Sequence, residues 1–277
     1  MLLDAEPHGK VRSGGIDIAY WDVGEGEPLT LLTGLTTPAA AWGPFPSIIA
    51  SMGYRVIVID NRDAGCSGRS AGDYTMTEMA GDVISVLDHL DIASTFMVGI
   101  SMGGMIAQKV GIDHPERVSR MVLIGTDPGG SLRVVDEDFW LGFLTLDASD
   151  PESYIREILS RMTGPGFADR DPAMMDMAVK ARSSQLADAG CLSRQLQACQ
   201  SFSAVEDLPG VKIPTLVIHG DCDPMILPEN GRQIAGLIPG AELVMLSGIG
   251  HLSPMEAPAE ILSHIQRFLP ARAKESA

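Results

Sequence analysis

Residues 95–107 read TFMVGISMGGMIA, and their reading decides the fold. The apolar run Phe96 to Ile100 predicts a short strand, Gly99-Ile100-Ser101-Met102-Gly103 a tight turn, and Met105, Ile106 and Val110 the apolar face of a following helix. Strand, sharp turn and helix are the setting in which Gly-x-Ser-x-Gly becomes a nucleophile elbow. A serine at such an apex sits in a strained backbone conformation, and residues without a Cβ are needed where strand and helix crowd together. Gly99 gives that room on the strand side, Gly103 and Gly104 on the helix side. The new helix also points free N–H groups at the space beside Ser101, which suits an oxyanion. In a chain with 30 glycines the bare string recurs by chance, so its weight comes from its flanks and from the partners it requires.

Around this stretch the chain alternates strand and helix. Gly15 to Gly24 alternates apolar and polar residues and predicts an antiparallel edge strand. Pro28 to Thr33, Tyr54 to Ile59 and Arg120 to Gly125 are short apolar runs of the kind buried on both faces of a parallel sheet. A helix is expected from Ala39 to Met52, and Thr75-x-x-Glu78 is a capping box opening another through Met79, Val83, Val86 and Leu90. From about Pro128 to Asp207 no strand-like run occurs, so 128–207 reads as a helical insertion in a core formed by 1–127 and 208–277. The α/β rhythm then resumes with strands at Pro214 to His219 and Glu242 to Leu246, and helices at Glu229 to Ile238 and Pro258 to Leu269.

Composition narrows the function. The 277 residues carry 36 acidic against 20 basic side chains, a net charge of −16, which argues against nucleic acid as a partner. No apolar run approaches the roughly 18 to 20 residues of a membrane span, and the N-terminus shows no signal peptide, so no membrane partner and a cytoplasmic location are expected. Cys66, Cys191, Cys199 and Cys222 have no metal-binding spacing and read as free thiols; Cys66 and Cys222, in loops near the candidate site, are expected as small buried fillers, with a sensitive thiol the alternative. A homo-oligomer is compatible with this composition.

In an open α/β sheet the ligand site lies beyond the carboxyl ends of the strands. The residues there are Gly34-Leu35, Asp60 to Asp63, Ser101, Thr126-Asp127, Asp221, Asp223 and His251. They include a nucleophile, a base and several acids. A serine hydroxyl needs an imidazole to take its proton and a carboxylate to orient that imidazole. Among six histidines His251 follows a flexible turn past the last strand and falls after the acid in the order Ser, Asp, His; His219, at a strand end, is the rival. Asp223 is the leading acid, with Asp221 a structural alternative and Asp127 a catalytic one. The oxyanion donors are expected to be the backbone N–H groups of Met102 and Leu35.

With Gly99-Ile-Ser101-Met-Gly103-Gly104, His219-Gly-Asp-Cys-Asp223-Pro, Gly250-His251 and Asp60-x-Arg62 in this order, the chain resembles the α/β-hydrolase superfamily over nearly its whole length. The resemblance implies a mostly parallel eight-stranded sheet, a helical cap at 128–207, and Ser101, Asp223 and His251 as a triad. Two departures stand out: Thr33-Gly34 replaces the usual His-Gly, and Asp63 stands where glycine is usual. The Asp-Asn-Arg-Asp-x-Gly loop looks like anthracycline methyl esterases, while Ser101-Met-Gly-Gly-Met and His251-Leu-Ser look like 3-oxoadipate enol-lactonases and cofactor-free haloperoxidase-like esterases. The expected activity is hydrolysis of small to medium carboxylic esters through an acyl-enzyme, without metal or organic cofactor. An enol-lactonase or related lactone or C–C bond hydrolase is the alternative, and a non-catalytic ligand-binding protein the remote one. An enol-lactone substrate would need a cation over the site, for which Arg133, Arg156, Arg161 and Arg194 are available in the insertion. Met162, Met174, Met175 and Met177 suit an adaptable apolar pocket or an ordinary core.

Overall fold

The computed structural model describes residue 3 and residues 6–147, 149–183 and 188–269. Its strands are β1 (Gly9–Ser13), β2 (Ile16–Val23), β3 (Glu27–Leu32), β4 (Tyr54–Ile59), β5 (Thr95–Ile100), β6 (Val118–Ile124), β7 (Thr215–Gly220) and β8 (Glu242–Leu246). They form one eight-stranded sheet in the order β1-β2-β4-β3-β5-β6-β7-β8. The pairs β1/β2 and β2/β4 are antiparallel and all others parallel. Helices α1 (Phe45–Ser51), α2 (Met76–His89) and α3 (Met102–Asp113) lie between β3 and β6. Between β6 and β7 run α4 (Glu137–Leu144), α5 (Pro151–Met162), α6 (Phe167–Arg170), α7 (Pro172–Ser183) and α8 (Ala189–Ser201). The chain closes with α9 (Pro228–Leu237), α10 (Ser253–Glu256) and α11 (Pro258–Phe268).

The apolar runs are buried because the sheet is covered on both faces. Along β4, Ile57 and Ile59 pack with α2 and α3, while Val56 and Val58 pack with α1 and α11. In β6, Met121 and Leu123 take the first face, Val122 and Ile124 the second. That two-sided alternation leaves no polar face to read, which is why these strands appear as continuous hydrophobic runs.

Two sequence expectations change. The strand β2 is not the edge, because β1 pairs outside it; with five residues and one large apolar side chain, GKVRS carries too little pattern to be recognised. The helix expected over Ala39 to Met52 breaks into a 3₁₀ turn, Ala39–Trp42, and α1, since Gly43 adopts φ 55° and Pro44 cannot supply a helical N–H. The capping box forms as read, with Glu78 Oε2 accepting the Thr75 N–H at 2.8 Å. No helix among the described residues is long and apolar enough to cross a membrane.

Candidate active site

Because β3 to β8 run parallel, the loops after them gather at one rim, and the nucleophile candidate stands in the middle. Ser101 takes φ 55° and ψ −123°, a left-handed conformation that costs a non-glycine residue on the order of 1–3 kcal/mol. It is held there from β6: its N–H donates to Ile124 O at 2.9 Å, and its carbonyl accepts the Thr126 hydroxyl at 2.7 Å. A Cβ on Gly99 would strike the Gly103 carbonyl, and one on Gly103 would strike the Leu32 carbonyl. The glycines of the motif are therefore demanded by backbone contact between β5, α3 and β3.

The candidate acid and base meet at the same rim. His251 Nδ1 donates to Asp223 Oδ2 at 2.7 Å, and Asp223 Oδ1 accepts the N–H groups of Met225 and Ile226, each at 2.9 Å. Burial opposes the charge on Asp223, but His251 and His219 outweigh it and hold the carboxyl below its ordinary range. An ionised Asp223 fixes the proton on Nδ1 and leaves His251 Nε2 as the acceptor. Gly125 ties this pair to the elbow: it directly follows Ile124, and a Cβ on it would lie 3.4 Å from both Asp223 Oδ2 and His251 Nδ1. Ser101, Asp223 and His251 thus surround the end of β6, although no hydrogen bond joins Ser101 Oγ to His251 among the described residues. A depression of about 590 Å³ at the opposite rim, lined in part by Gly111, Val118 and Pro214, holds none of the three.

The other candidate residues have these partners. Asp127 receives Arg133 Nε at 2.8 Å and the Gly129 N–H at 2.7 Å. Asp221 accepts the Gly248 N–H at 2.6 Å and shapes the turn ahead of His251. His219 is fully buried; its Nε2 donates to Ile226 O at 2.8 Å and stands 3.4 Å from Asp223 Oδ2, behind the pair.

Residues 27–258 match the family model for the alpha/beta hydrolase fold. The chain belongs to that family. It is 27% identical over 272 residues to rhodomycin D methylesterase of Streptomyces peucetius, covering 86% of this chain and 91% of the relative. It is 26% identical over 270 residues to a non-heme haloperoxidase of Rhodococcus erythropolis, covering 92% and 97%. The crystal structure of the enol-lactonase from Burkholderia xenovorans LB400 superposes with a TM-score of 0.83 at 25% identity, covering 94% of this chain and 99% of that one.

In this alpha/beta hydrolase the loop after β3 passes beside the elbow, for a Cβ on Gly34 would lie 3.2 Å from Ser101 Cβ. Neither the Leu35 N–H nor the Met102 N–H has an internal partner among the described residues, so both donors are free to face a ligand oxygen. The loop is braced by a residue that the sequence did not single out. Gln195 of α8, fully buried, accepts the Thr36 N–H at 2.6 Å and donates to Arg62 O at 2.7 Å.

Asp63, the departure noted in the sequence, is also explained. It is buried at φ 65° and receives Arg194 through two hydrogen bonds of 2.8 and 3.0 Å, the Tyr74 hydroxyl at 2.9 Å and the Ser70 N–H at 2.8 Å. Burial raises its pKa, and these donors together more than reverse that, leaving it below the usual value. Arg194 is therefore spent on the α8 to β4-loop junction. Nearby Asp60, pushed up to about 6 by burial against the pull of the Cys66 and Ala39 N–H groups, anchors the same loop. Cys222 is exposed, contrary to a filler role, and all four cysteines are free thiols. Met162 and Met175 are buried among the helices between β6 and β7, whereas Met177 is 43% exposed. Among the described residues no cluster of three or more His, Cys, Asp or Glu could hold a metal.

Proposed function

We propose that this alpha/beta hydrolase is a serine carboxylic-ester hydrolase. Ser101 Oγ attacks the ester carbonyl while His251 Nε2 takes its proton, and the Leu35 and Met102 N–H groups stabilise the oxyanion. The imidazolium, steadied by Asp223, returns the proton to the departing alkoxide. Water, deprotonated by the same imidazole, then releases the acid and restores Ser101. The helical segment 128–207 acts as a cap. Its apolar residues Phe143, Ile158 and Met162 pack with Met225 and Ile226 of the acid loop, and Leu252, beside His251, lies against this cluster, so the pocket would carry an apolar wall.

The observation that carries this reading is the 2.7 Å contact between His251 and Asp223 at the rim where Ser101 is held in a strained elbow. Hydrolysis of p-nitrophenyl acetate and butyrate by the wild type and by Ser101→Ala tests it. Loss of turnover in the variant supports it, and turnover that survives the substitution removes the serine mechanism. A lactone substrate is a second reading, favoured by the likeness to an enol-lactonase structure, and would use the same residues.

A further inference from the structure

Four arginines between β6 and β7 are each committed to a carboxylate. Arg133 meets Asp127 at 2.8 Å, Arg156 meets Asp176 at 2.7 Å, Arg161 meets Glu157 at 2.7 Å and Arg194 meets Asp63 at 2.8 Å. Arg182, at the end of α7, is different. Its Nη2 donates to Thr37 Oγ1 at 3.1 Å, and among the described residues no carboxylate lies within ion-pair distance of it. The side chain is partly buried. Burial pushes its pKa down to about 10, with Tyr154 of α5 acting in the opposite sense, so it remains a cation at neutral pH. Acids outnumber bases 36 to 20 in this chain, so the missing partner does not reflect a shortage of carboxylates. Among the described residues only one of the five donors of this partly buried guanidinium is in use, which leaves it able to take an anionic partner.

Its location says what the cation faces. The Thr37 hydroxyl that receives Arg182 itself donates to Leu35 O at 3.0 Å, and the Thr37 N–H donates to Gly34 O at 3.2 Å. The guanidinium is therefore seated on the loop whose Leu35 N–H is the oxyanion donor. Tyr154, which acts on Arg182, also belongs to the apolar group that includes Met162, Ile226 and Leu252. Arg182 thus stands on the Leu35 loop, and among the described residues no carboxylate is paired with it.

We infer that Arg182 is a substrate-specificity residue that binds a carboxylate on the substrate, so that the site takes esters or lactones bearing a second, anionic carboxyl group. The guanidinium fork pairs with that carboxylate while the ester carbonyl rests against Leu35 and Met102. A chain of net charge −16 repels anions at long range, and a local arginine is what admits one. This inference rests on the serine-esterase reading and narrows its substrate class.

Two matched pairs of esters test it: mono-p-nitrophenyl glutarate against p-nitrophenyl valerate, and p-carboxyphenyl butyrate against phenyl butyrate. The quantity read is the ratio of kcat/KM for the charged ester to that for its neutral partner, in wild type, Arg182→Gln, Arg182→Met and Arg182→Lys. Loss of a charge-assisted hydrogen-bonded pair predicts a fall in the ratio of about tenfold or more in Gln and Met, expressed mainly in KM, for at least one pair. Lysine, which keeps the charge and loses the fork, should restore part of it. A purely structural tie between α7 and Thr37 would change both esters alike. A ratio unchanged by Gln and Met in both pairs, with the neutral esters still turned over, overturns the inference and leaves the esterase reading standing. A wild type that turns over none of the four overturns both.

Discussion

The backbone N–H of His251 donates to the carbonyl of Met162 at 2.7 Å, which fastens the loop carrying His251 to the end of α5. The two segments touch backbone to backbone. A Cβ on Gly250 would meet Met162 O at 2.5 Å, and one on Gly164 would strike the Gly248 carbonyl. Glu256 closes the junction by accepting the Gly164 N–H at 2.6 Å and the Gly250 N–H at 3.1 Å. The end of α5 and the turn after it are therefore in direct contact with the segment that places the His251 imidazole.

Gly250→Ala should drive these segments apart. The expected cost is about 1–3 kcal/mol of stability from overpacking, with a fall in kcat on p-nitrophenyl butyrate of at least tenfold because His251 is displaced. Thermal unfolding and steady-state kinetics check it, and an unchanged kcat would show that the junction does not position the base.

Gln195→Leu removes the brace between Thr36 and Arg62. The buried Arg62 carbonyl and the half-buried Thr36 N–H lose their partner, which predicts a loss of about 1–3 kcal/mol. The loop carrying Leu35 should also loosen, so kcat is expected to fall more than KM rises. Chemical denaturation together with kinetics on a neutral ester measures both effects.

Asp63→Asn should cost about 2–4 kcal/mol at neutral pH, less than a fully buried pair would, since the Arg194 side chain is 20% exposed and can be partly resolvated. The sign of its pH dependence follows from the depressed pKa in the folded protein. A depressed carboxyl contributes stability that is present above its unfolded value of about 3.9 and is lost as pH falls through the folded value. The stability gap between wild type and Asp63→Asn should therefore be constant from pH 7 to about pH 5 and shrink below about pH 4. Urea unfolding across that range reads it.

What the sequence disclosed and what it hid follow the range of the interactions. The elbow was legible because Gly99, Ser101, Gly103 and Gly104 act within one turn of chain, and the strands because burial on both faces makes them uniformly apolar. The loop positions of Asp223 and His251 follow from the rule that places sites past strand ends. By contrast Gln195 reaches Thr36 across 159 residues, Arg182 reaches Thr37 across 145 and Glu256 reaches Gly164 across 92. Such contacts leave no periodicity, and α7 and α8 look like ordinary amphipathic helices. Asp63 is visible as an oddity, but its partner Arg194 lies 131 residues away and nothing in the sequence links the two.

In the proposed mechanism Ser101 becomes covalently modified during turnover. Intact-protein mass spectrometry after treatment with diisopropyl fluorophosphate, followed by peptide mapping, tests this most directly. A single phosphoryl adduct on Ser101, formed in parallel with loss of p-nitrophenyl butyrate hydrolysis and absent from Ser101→Ala and strongly slowed in His251→Ala, is the predicted result. Full inhibition with the adduct on another residue, or rapid hydrolysis by a protein lacking the Ser101 hydroxyl, would contradict it.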